Sequence, residues 1–156
     1  MTDLQEILET IKERVRNSLR SMTGVEPEVD EINSRSEPKR VPYARVGIAE
    51  AVHSDFTVSS DSLMLGLQII AVVDRNRNAP QAVQFELAKA LHEGIFGRNY
   101  ELCLLTLSSG RTARLIPATR TTFTSDIEQE LVERVPDCTS VVITLSAELP
   151  LGGSVY

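Results

Sequence analysis

The stretch from Ser62 to Phe96 constrains the fold most, because it is typical of a strand that leads into a helix. The odd positions from Leu63 to Val73 are all apolar, whereas the even positions are mixed. Side chains alternate across a strand, so we predict that the odd positions face the core and the even positions face a less demanding surface. Apolar residues then recur every three or four positions and Gly97 follows, which predicts a helix over Gln81 to Phe96.

A second helix is predicted near the N-terminus. Thr2 and Gln5 have the spacing of a capping box, and Gly24 provides an end signal. To about Ser21 the apolar residues form one narrow stripe, which consists of Leu4, Ile7, Leu8, Ile11, Val15 and Leu19. The opposite side is charged and not basic enough for a membrane-surface helix, so we expect this helix to lie on another element.

Further strands are predicted on both sides of the central unit. Glu28 to Asn33 is a weak candidate, whereas Ala44 to Val52 alternates clearly and predicts an antiparallel hairpin with the central strand. The polar residues His53 to Asp61 are the predicted nine-residue connection of that hairpin, and the polar stretch Ser34 to Pro42 is predicted to be a loop.

Beyond the central helix, Glu101 to Ser108 is apolar on both faces, so we place it inside the sheet after a right-handed crossover. The Ser109-Gly110 turn leads into Thr112 to Ile116 and predicts a second hairpin. Val141 to Leu149 predicts a half-buried strand with a polar outer face.

The stretch Thr119 to Val135 allows two interpretations. Ser125 and Glu128 resemble a capping box before a short helix. The threonines between Arg120 and Thr124 favour an extended arm instead. Both interpretations stay open from the sequence.

The order of elements predicts an α+β fold, with a mixed, mostly antiparallel sheet and two amphipathic helices packed on one face. We expect a single domain over residues 1–150 and a flexible C-terminal tail over residues 151–156. Cys103 is expected to be a buried thiol and Cys138 a free loop thiol, rather than partners in a disulfide.

Composition favours some partners over others. The net charge of −6 argues against nucleic acid or an anionic membrane as the partner, and 4% aromatic residues weaken any base-stacking function. No leader and no apolar run of membrane-spanning length is evident, so we expect a cytosolic product.

No motif supplies a nucleophile, a catalytic base, a phosphate loop or a metal site. His53 and Asp55 lack a third metal ligand at useful spacing, and His92 with Glu93 is interpreted as a surface pair. We therefore predict no enzymatic activity, no cofactor and no metal. The remaining hypotheses are a small assembly protein, an enzyme with an undetected site and a nucleic-acid-associated protein.

Two basic clusters are the candidates for an anionic partner. They are Arg35, Lys39 and Arg40 in one loop, and Arg75 and Arg77 in another. The alternative is that these charges keep loops soluble and sheet edges unpaired.

The order of these segments resembles the tail terminator and tail-completion proteins of long-tailed bacteriophages and related contractile particles. The resemblance extends from Leu4 to Leu149, except for Thr119 to Val135. It depends on the N-terminal helix, the basic proline-containing loop, the Ala-Arg-Val-Gly-Ile-Ala-Glu strand at 44–50, the strand 63–74, the helix 81–96 and the final strand 141–149.

The resemblance implies a structural virion protein that forms a ring, commonly a hexamer. Such a ring caps the tail tube, ends its polymerisation and joins the tail to the head connector. The implied partners are other copies of the chain, the tail tube protein and the head–tail connector protein. The implied location is the virion tail or neck, with the host cytoplasm during assembly.

We expect no membrane partner and no sequence-specific binding of nucleic acid. The alternatives are another neck or tail-assembly protein of a phage-like particle, or a small enzyme. The candidate protein contacts are Arg35, Lys39, Arg40, His53, Asp55, Arg75 and Arg77.

Overall fold

The computed structural model describes residues 2–34, 41–57, 60–74, 80–122 and 138–150, without the side chains of residues 53–57, 60, 61, 80 and 118. Within these residues the chain forms two helices and six strands of one sheet. The helices are α1 (Asp3–Thr23) and α2 (Pro80–Phe96). The strands are β1 (Glu28–Glu31), β2 (Tyr43–Thr57), β3 (Ser60–Asp74), β4 (Leu104–Thr106), β5 (Thr112–Thr122) and β6 (Cys138–Pro150).

The strand order of the sheet is β1-β2-β3-β6-β5-β4, so β1 and β4 are its two edges. β1 runs parallel to β2, and the other four described pairs are antiparallel. Both helices pack on the same face of the sheet and share one core with it. This confirms the predicted α+β fold with a mixed, mostly antiparallel sheet and two helices on one face.

The core lies where the alternation of the central strand predicts it. The odd positions of β3 from Leu65 to Val73 are buried under the two helices. The fully buried helix side chains that meet them are Ile7, Ile11, Val15 and Leu19 from α1, and Leu87, Leu91, Ile95 and Phe96 from α2. The inside and outside assignment of β3 is therefore confirmed.

The opposite face of the sheet is buried at one end and polar at the other. Tyr43, Val72 and Cys138 form a small second cluster there. All side chains of β6 are buried as far as residue 143, and exposure begins at Thr144. The prediction of a half-buried strand with a polar outer face is thus correct only for the second half of β6. The sequence pattern of this strand does not distinguish a covered from an open sheet face.

The N-terminal helix has both predicted ends. The Thr2 side chain accepts from the Gln5 backbone N–H, the Gln5 side chain accepts from the Thr2 backbone N–H, and the capping box is complete. At the other end, Gly24 adopts φ of 72° and its N–H donates to the Arg20 carbonyl at 2.8 Å. A left-handed residue of this kind is most readily glycine, which explains why α1 ends there.

The two helices are in close contact at Ser18 and Gly94. A β-carbon added to Gly94 would lie 1.8 Å from the Ser18 hydroxyl oxygen, which itself donates to the Arg14 carbonyl at 2.8 Å. Only a residue without a side chain fits this contact. The glycine in α2 is therefore required by packing between the helices.

The antiparallel hairpin of β2 and β3 is confirmed, but its predicted nine-residue loop is wrong. Both strands are 15 residues long, β2 continues to Thr57 and β3 begins at Ser60. His53 pairs with Leu63 and Ser54 with Ser62, so most of the predicted loop belongs to the ladder. Polar residues can form strands where a ladder satisfies their backbone groups, and hydrophobic patterning does not detect such strands.

The strand predicted inside the sheet after α2 is instead a three-residue strand at its edge. β4 covers only Leu104–Thr106 and pairs with β5, and the Ser109-Gly110 turn forms the predicted hairpin. From β2 to β4 the sheet contains four antiparallel pairs, so β4 runs parallel to β2. Because β3 runs antiparallel to β2, β4 also runs antiparallel to β3. The predicted right-handed crossover, which joins parallel strands, is therefore not formed.

Two smaller predictions are decided by the described residues. β5 is extended as far as Thr122, which favours the extended interpretation for the start of the stretch Thr119 to Val135, and residues 123–137 lie outside the described chain. Cys103 and Cys138 are both free thiols, as predicted. Their environments are exchanged, because Cys138 is buried in β6 and Cys103 is half-buried before β4.

Candidate assembly interface

Most of the predicted contact residues lie outside the described residues. Arg35, Lys39 and Arg40 fall between β1 and β2, and Arg75 and Arg77 fall between β3 and α2. The backbones of His53 and Asp55 belong to β2, but their side chains are not described. The contact role of these seven residues stays a prediction. Among the described residues, the candidate contact surfaces are the two edges of the sheet.

The edge strand β4 directs unused backbone groups outward. The Cys103 carbonyl accepts from the Leu115 N–H at 2.7 Å, and the Leu107 N–H donates to the Arg111 carbonyl at 2.9 Å. Because the direction of backbone groups alternates along a strand, the N–H and C=O of Leu104 and Thr106 point away from β5. No described residue bonds to these four groups. Such an edge is a template for another strand.

Large apolar side chains surround this edge. Leu104 is 65% exposed and Tyr100 is 52% exposed, and both stand beside a shallow cleft of about 420 Å³. The lining of the cleft includes Tyr100, Cys103, Leu104, Arg114, Ile116 and Pro117. Exposed apolar groups around unpaired backbone are typical of a contact surface.

One half-buried guanidinium, that of Arg14, holds the corner between α2 and β4. Nη1 of Arg14 donates to the Ile95 carbonyl at 2.7 Å and to the Leu102 carbonyl at 2.6 Å. Burial lowers the pKa of Arg14, and the nearby Cys103 acts in the opposite direction. The charge of Arg14 thus satisfies the last turn of α2 and fixes the segment that leads into the edge strand.

The same corner carries a carboxylate bound by backbone. Oε2 of Glu101 accepts from the Asn99 N–H at 2.8 Å, and hydrogen bonds from backbone groups including those of Glu101 and Asn99 lower the pKa of this carboxyl. Gly97 approaches the Glu101 carboxyl so closely that an added β-carbon would lie 2.5 Å from it. Together with φ of 84° at Gly97, this contact makes the corner a defined turn rather than an open loop.

The other edge of the sheet is acidic. β1 has the sequence Glu-Val-Asp-Glu, and residues 24–34 contain four carboxylates, at Glu26, Glu28, Asp30 and Glu31, but no basic residue. Glu26 forms a bidentate pair with Arg20 at 2.6 and 2.9 Å. The weak strand predicted for Glu28 to Asn33 is confirmed as an edge strand parallel to β2.

The β4 edge is basic by comparison. Residues 97–114 contain Arg98, Arg111 and Arg114 against a single carboxylate, Glu101. The Arg98 side chain is 84% exposed and lies 3.8 Å from Glu93, Arg111 lies 3.1 Å from Asp3, and Arg114 lies 3.7 Å from Glu148. A guanidinium has five donors, so each of these arginines can bind a second carboxylate.

Sequence reasoning missed this edge for an identifiable reason. The two apolar faces of residues 101–108 indicated an interior strand, but Leu102 and Leu104 are both exposed. An apolar residue at a contact surface has the same pattern as one in a core. The nearby Arg98, Arg111 and Arg114 were the available signal, since charges flank edges more often than central strands.

Three further features of the described residues concern metal ligands, membrane spans and His92. The described residues contain no group of three His, Cys, Asp or Glu side chains that could hold a metal, and neither described helix is apolar enough over its length to cross a bilayer. His92 was predicted to lie on the solvent side of α2. Instead it is half-buried, with its ring centroid 4.9 Å from that of Phe96 and 6.1 Å from that of Tyr100.

Comparison with known proteins extends the description of the fold. The sequence matches no protein-family profile and no curated protein. A solved chain described as "Virion of native gene transfer agent (GTA) particle" superposes with a TM-score of 0.57 at 14% identity, over 96% of this chain and 99% of that one. The fold is shared with a virion protein.

A second solved chain, known only by a serial designation, superposes with a TM-score of 0.54 at 17% identity. The match covers 95% of this chain and 96% of the other. Both matches extend over nearly the whole length of each chain. The similarity therefore concerns the entire arrangement of helices and strands.

Proposed function

We propose that this chain is a structural virion protein that caps the tail tube of a phage-like particle as a ring, ends tail polymerisation and joins the tail to the head connector. The observation that carries the proposal is the match to the gene transfer agent virion chain over 96% of this chain and 99% of the other. The shared fold supports a structural role in a phage-like particle by analogy between the two chains. The order of elements from Leu4 to Leu149 supports the tail terminator family within that class.

The described surfaces support an assembly role. Among the described residues, both sheet edges carry exposed side chains, Glu31 on β1 and Leu104 on β4. The β4 edge combines outward backbone groups with the exposed side chains of Leu104 and Tyr100. A ring requires two different contact surfaces on each copy, because each copy touches one neighbour with one surface and the next neighbour with the other. The two edges of one open sheet satisfy this requirement.

The test is deletion of the gene from the genome that encodes the chain, followed by electron microscopy of the particles. A tail terminator ends tube growth, so its loss is expected to give tails of variable, excessive length that are not joined to heads. A plasmid copy of the wild-type gene is expected to restore tails of uniform length. A plasmid copy with a stop codon early in β2 is the matched negative control.

Two other outcomes decide against the proposal. Tails of normal length that fail to join heads would identify the chain as another neck protein. Normal particles with an altered yield or maturation would favour an enzyme or an accessory protein. Tail length measured on several hundred particles per strain distinguishes these outcomes.

A further inference from the structure

We infer that neighbouring copies of this chain join edge to edge, with β1 of one copy pairing in parallel with β4 of the next. The inference rests on the proposed ring and specifies the contact that builds it. It is argued from strand direction, from the backbone groups and side-chain faces that this direction brings into register, and from the charges of the two edges.

Strand direction is the first property. β1 runs parallel to β2, and the four antiparallel steps from β2 to β4 return to the same direction. The two edges of the sheet therefore run the same way. A rotation about an axis along the strands preserves this direction, so copies arranged around such an axis bring β1 and β4 together in parallel.

The backbone groups of the two edges are complementary in that orientation. Glu28 donates its N–H to the Pro42 carbonyl at 3.2 Å and Ile32 donates to the Val46 carbonyl at 3.1 Å, so by alternation the N–H and C=O of Val29 point away from β2. In a parallel pair, one residue bonds to the two residues that flank its partner. Val29 can accordingly donate to the Leu104 carbonyl and accept from the Thr106 N–H, which makes Leu105 its partner.

The same register places side chains on matching faces. Partners in a parallel pair point to the same face of the sheet. Val29 and Leu105 are both buried on the helix-covered face, where both belong to the main core. A shift by one residue would place a buried residue opposite an exposed one. The same shift would also remove the hydrogen bonds of Val29, because backbone direction and side-chain direction alternate together along a strand.

The charges of the two edges favour contact between unlike edges of two copies over contact between two like edges. In this register Glu28 lies beside Leu104, and Leu104 pairs with Arg114 within the hairpin, so Glu28 lies near Arg114. Glu31 lies beside Leu107, which bonds to Arg111, so Glu31 lies near Arg111. Pairing two β1 edges would bring together Glu28, Asp30 and Glu31 of both copies, which like-charge repulsion disfavours. Pairing unlike edges instead brings the β1 carboxylates toward Arg111 and Arg114, which favours the head-to-tail contact of a ring.

The experiment is disulfide trapping in the register Val29 to Leu105. That register makes Asp30 the partner of Thr106, with α-carbons roughly 4.8 Å apart across adjacent strands, within the range of about 4.4–6.8 Å for a disulfide. The tested chain carries Asp30→Cys and Thr106→Cys in a background of Cys103→Ala and Cys138→Ala. Mild oxidation at high protein concentration is expected to give a ladder of covalent oligomers on a non-reducing gel.

Three matched chains control for chance cross-linking. Asp30→Cys alone and Thr106→Cys alone are expected to stay monomeric on the gel, because like edges do not meet. Asp30→Cys with Thr144→Cys is also expected to stay monomeric, because Thr144 lies in the centre of the sheet on β6. Dimers from a single-cysteine chain would overturn the head-to-tail pairing.

A second variant removes one of the two outward backbone donors of β4, the Thr106 N–H. Thr106→Pro deletes an N–H that β5 does not use, at an edge position where proline is tolerated, whereas Thr106→Ala keeps it. We expect association measured by analytical ultracentrifugation to be about tenfold weaker for Thr106→Pro than for Thr106→Ala, since a net hydrogen bond contributes up to about that factor. Equal association of the two variants would contradict the pairing.

The outcomes separate this inference from the proposed function. If the wild-type chain associates and gene deletion gives tails of uncontrolled length, but no cross-link forms between Asp30→Cys and Thr106→Cys, the edge pairing is wrong and the terminator function stands. If gene deletion leaves tail length unchanged while the ladder forms, the pairing stands and the terminator function fails. A chain that stays monomeric at every concentration overturns the inference.

Discussion

Replacing Arg14 should lower the free energy of unfolding more than replacing any other arginine of α1, because the Arg14 side chain joins α1 to α2 and to the segment before β4. Its Nη1 donates to the Ile95 carbonyl at 2.7 Å and to the Leu102 carbonyl at 2.6 Å, which connects α1 to the end of α2 and to the segment before β4. We consider Arg14→Met, which keeps an unbranched apolar stem and removes both donors. Arg16→Met, two residues further along α1, is the matched control.

The magnitude follows from the two acceptors. Hydrogen bonds to charged groups contribute about 1.5–3 kcal/mol each, and the value falls when water can replace the lost partner. The Ile95 carbonyl is partly buried and the Leu102 carbonyl is exposed, so we assign the first about 1.5–3 kcal/mol and the second about 0.5–1 kcal/mol. Arg14→Met should therefore lower the free energy of unfolding by about 2–4 kcal/mol. Among the described residues, Arg16 pairs with Glu13 alone and this pair is largely exposed, so Arg16→Met should cost less than about 1 kcal/mol.

The assay is urea unfolding of dilute protein followed by circular dichroism, with the slope of the transition compared between variants. A loss of 3 kcal/mol would also lower the thermal midpoint by about 6–12 °C for a chain of this size. Arg14→Lys, which keeps the charge on a shorter side chain, is expected to lie between wild type and Arg14→Met. Equal midpoints for Arg14→Met and Arg16→Met would refute the argument that this guanidinium holds the corner together.

The remaining predictions concern the core, the helix contact and one carboxylate. Leu67→Ala should cost about 2–5 kcal/mol of unfolding free energy in urea, and Gln68→Ala on the other face should cost less; the reverse order would invert the assigned faces of β3. Gly94→Val should cost at least about 1–3 kcal/mol through overpacking against Ser18, and Ser18→Gly in the same chain should recover part of the loss, as thermal midpoints would show. The folded pKa of Glu101 is lowered, so its contribution is present above the unfolded pKa of about 4.3 and is lost as the pH falls through the folded pKa. The stability difference between wild type and Glu101→Gln should thus shrink below about pH 4.3, and a difference that grows on acidification would contradict the assigned hydrogen bonds.

Local signals of the sequence were sufficient for the helices and the central strand. The capping box of Thr2 and Gln5, the glycines that end both helices and the alternation of residues 63–73 are all properties of short segments. Each reflects backbone geometry or burial within one element. These features therefore predicted element type, most element ends and the helix-covered face of the sheet.

The errors arose where the environment of a segment depends on distant parts of the chain. Residues 53–57 extend β2 because β3 supplies hydrogen-bond partners, which their polar character does not indicate. Leu104 is exposed because the corner held by Arg14 leaves β4 at the edge of the sheet. The exchanged roles of Cys103 and Cys138 have the same origin. Contact surfaces are affected most, because an apolar residue awaiting a partner has the same sequence signature as a core residue.

The position of β6 has a consequence for synthesis of the protein. β6 is the last strand described along the chain, yet it lies at the centre of the sheet between β3 and β5. β3 pairs with β6 across more than sixty intervening residues, from Asp74 with Cys138 to Ser62 with Pro150, so this ladder closes late and slowly during folding. While the ribosome is still elongating the chain, the β2–β3 hairpin can form, but β5 has no partner that connects it to that hairpin. A nascent or prematurely terminated chain therefore presents two separate halves of the sheet. Only a chain translated through residue 150 brings the two outer edges into one rigid body.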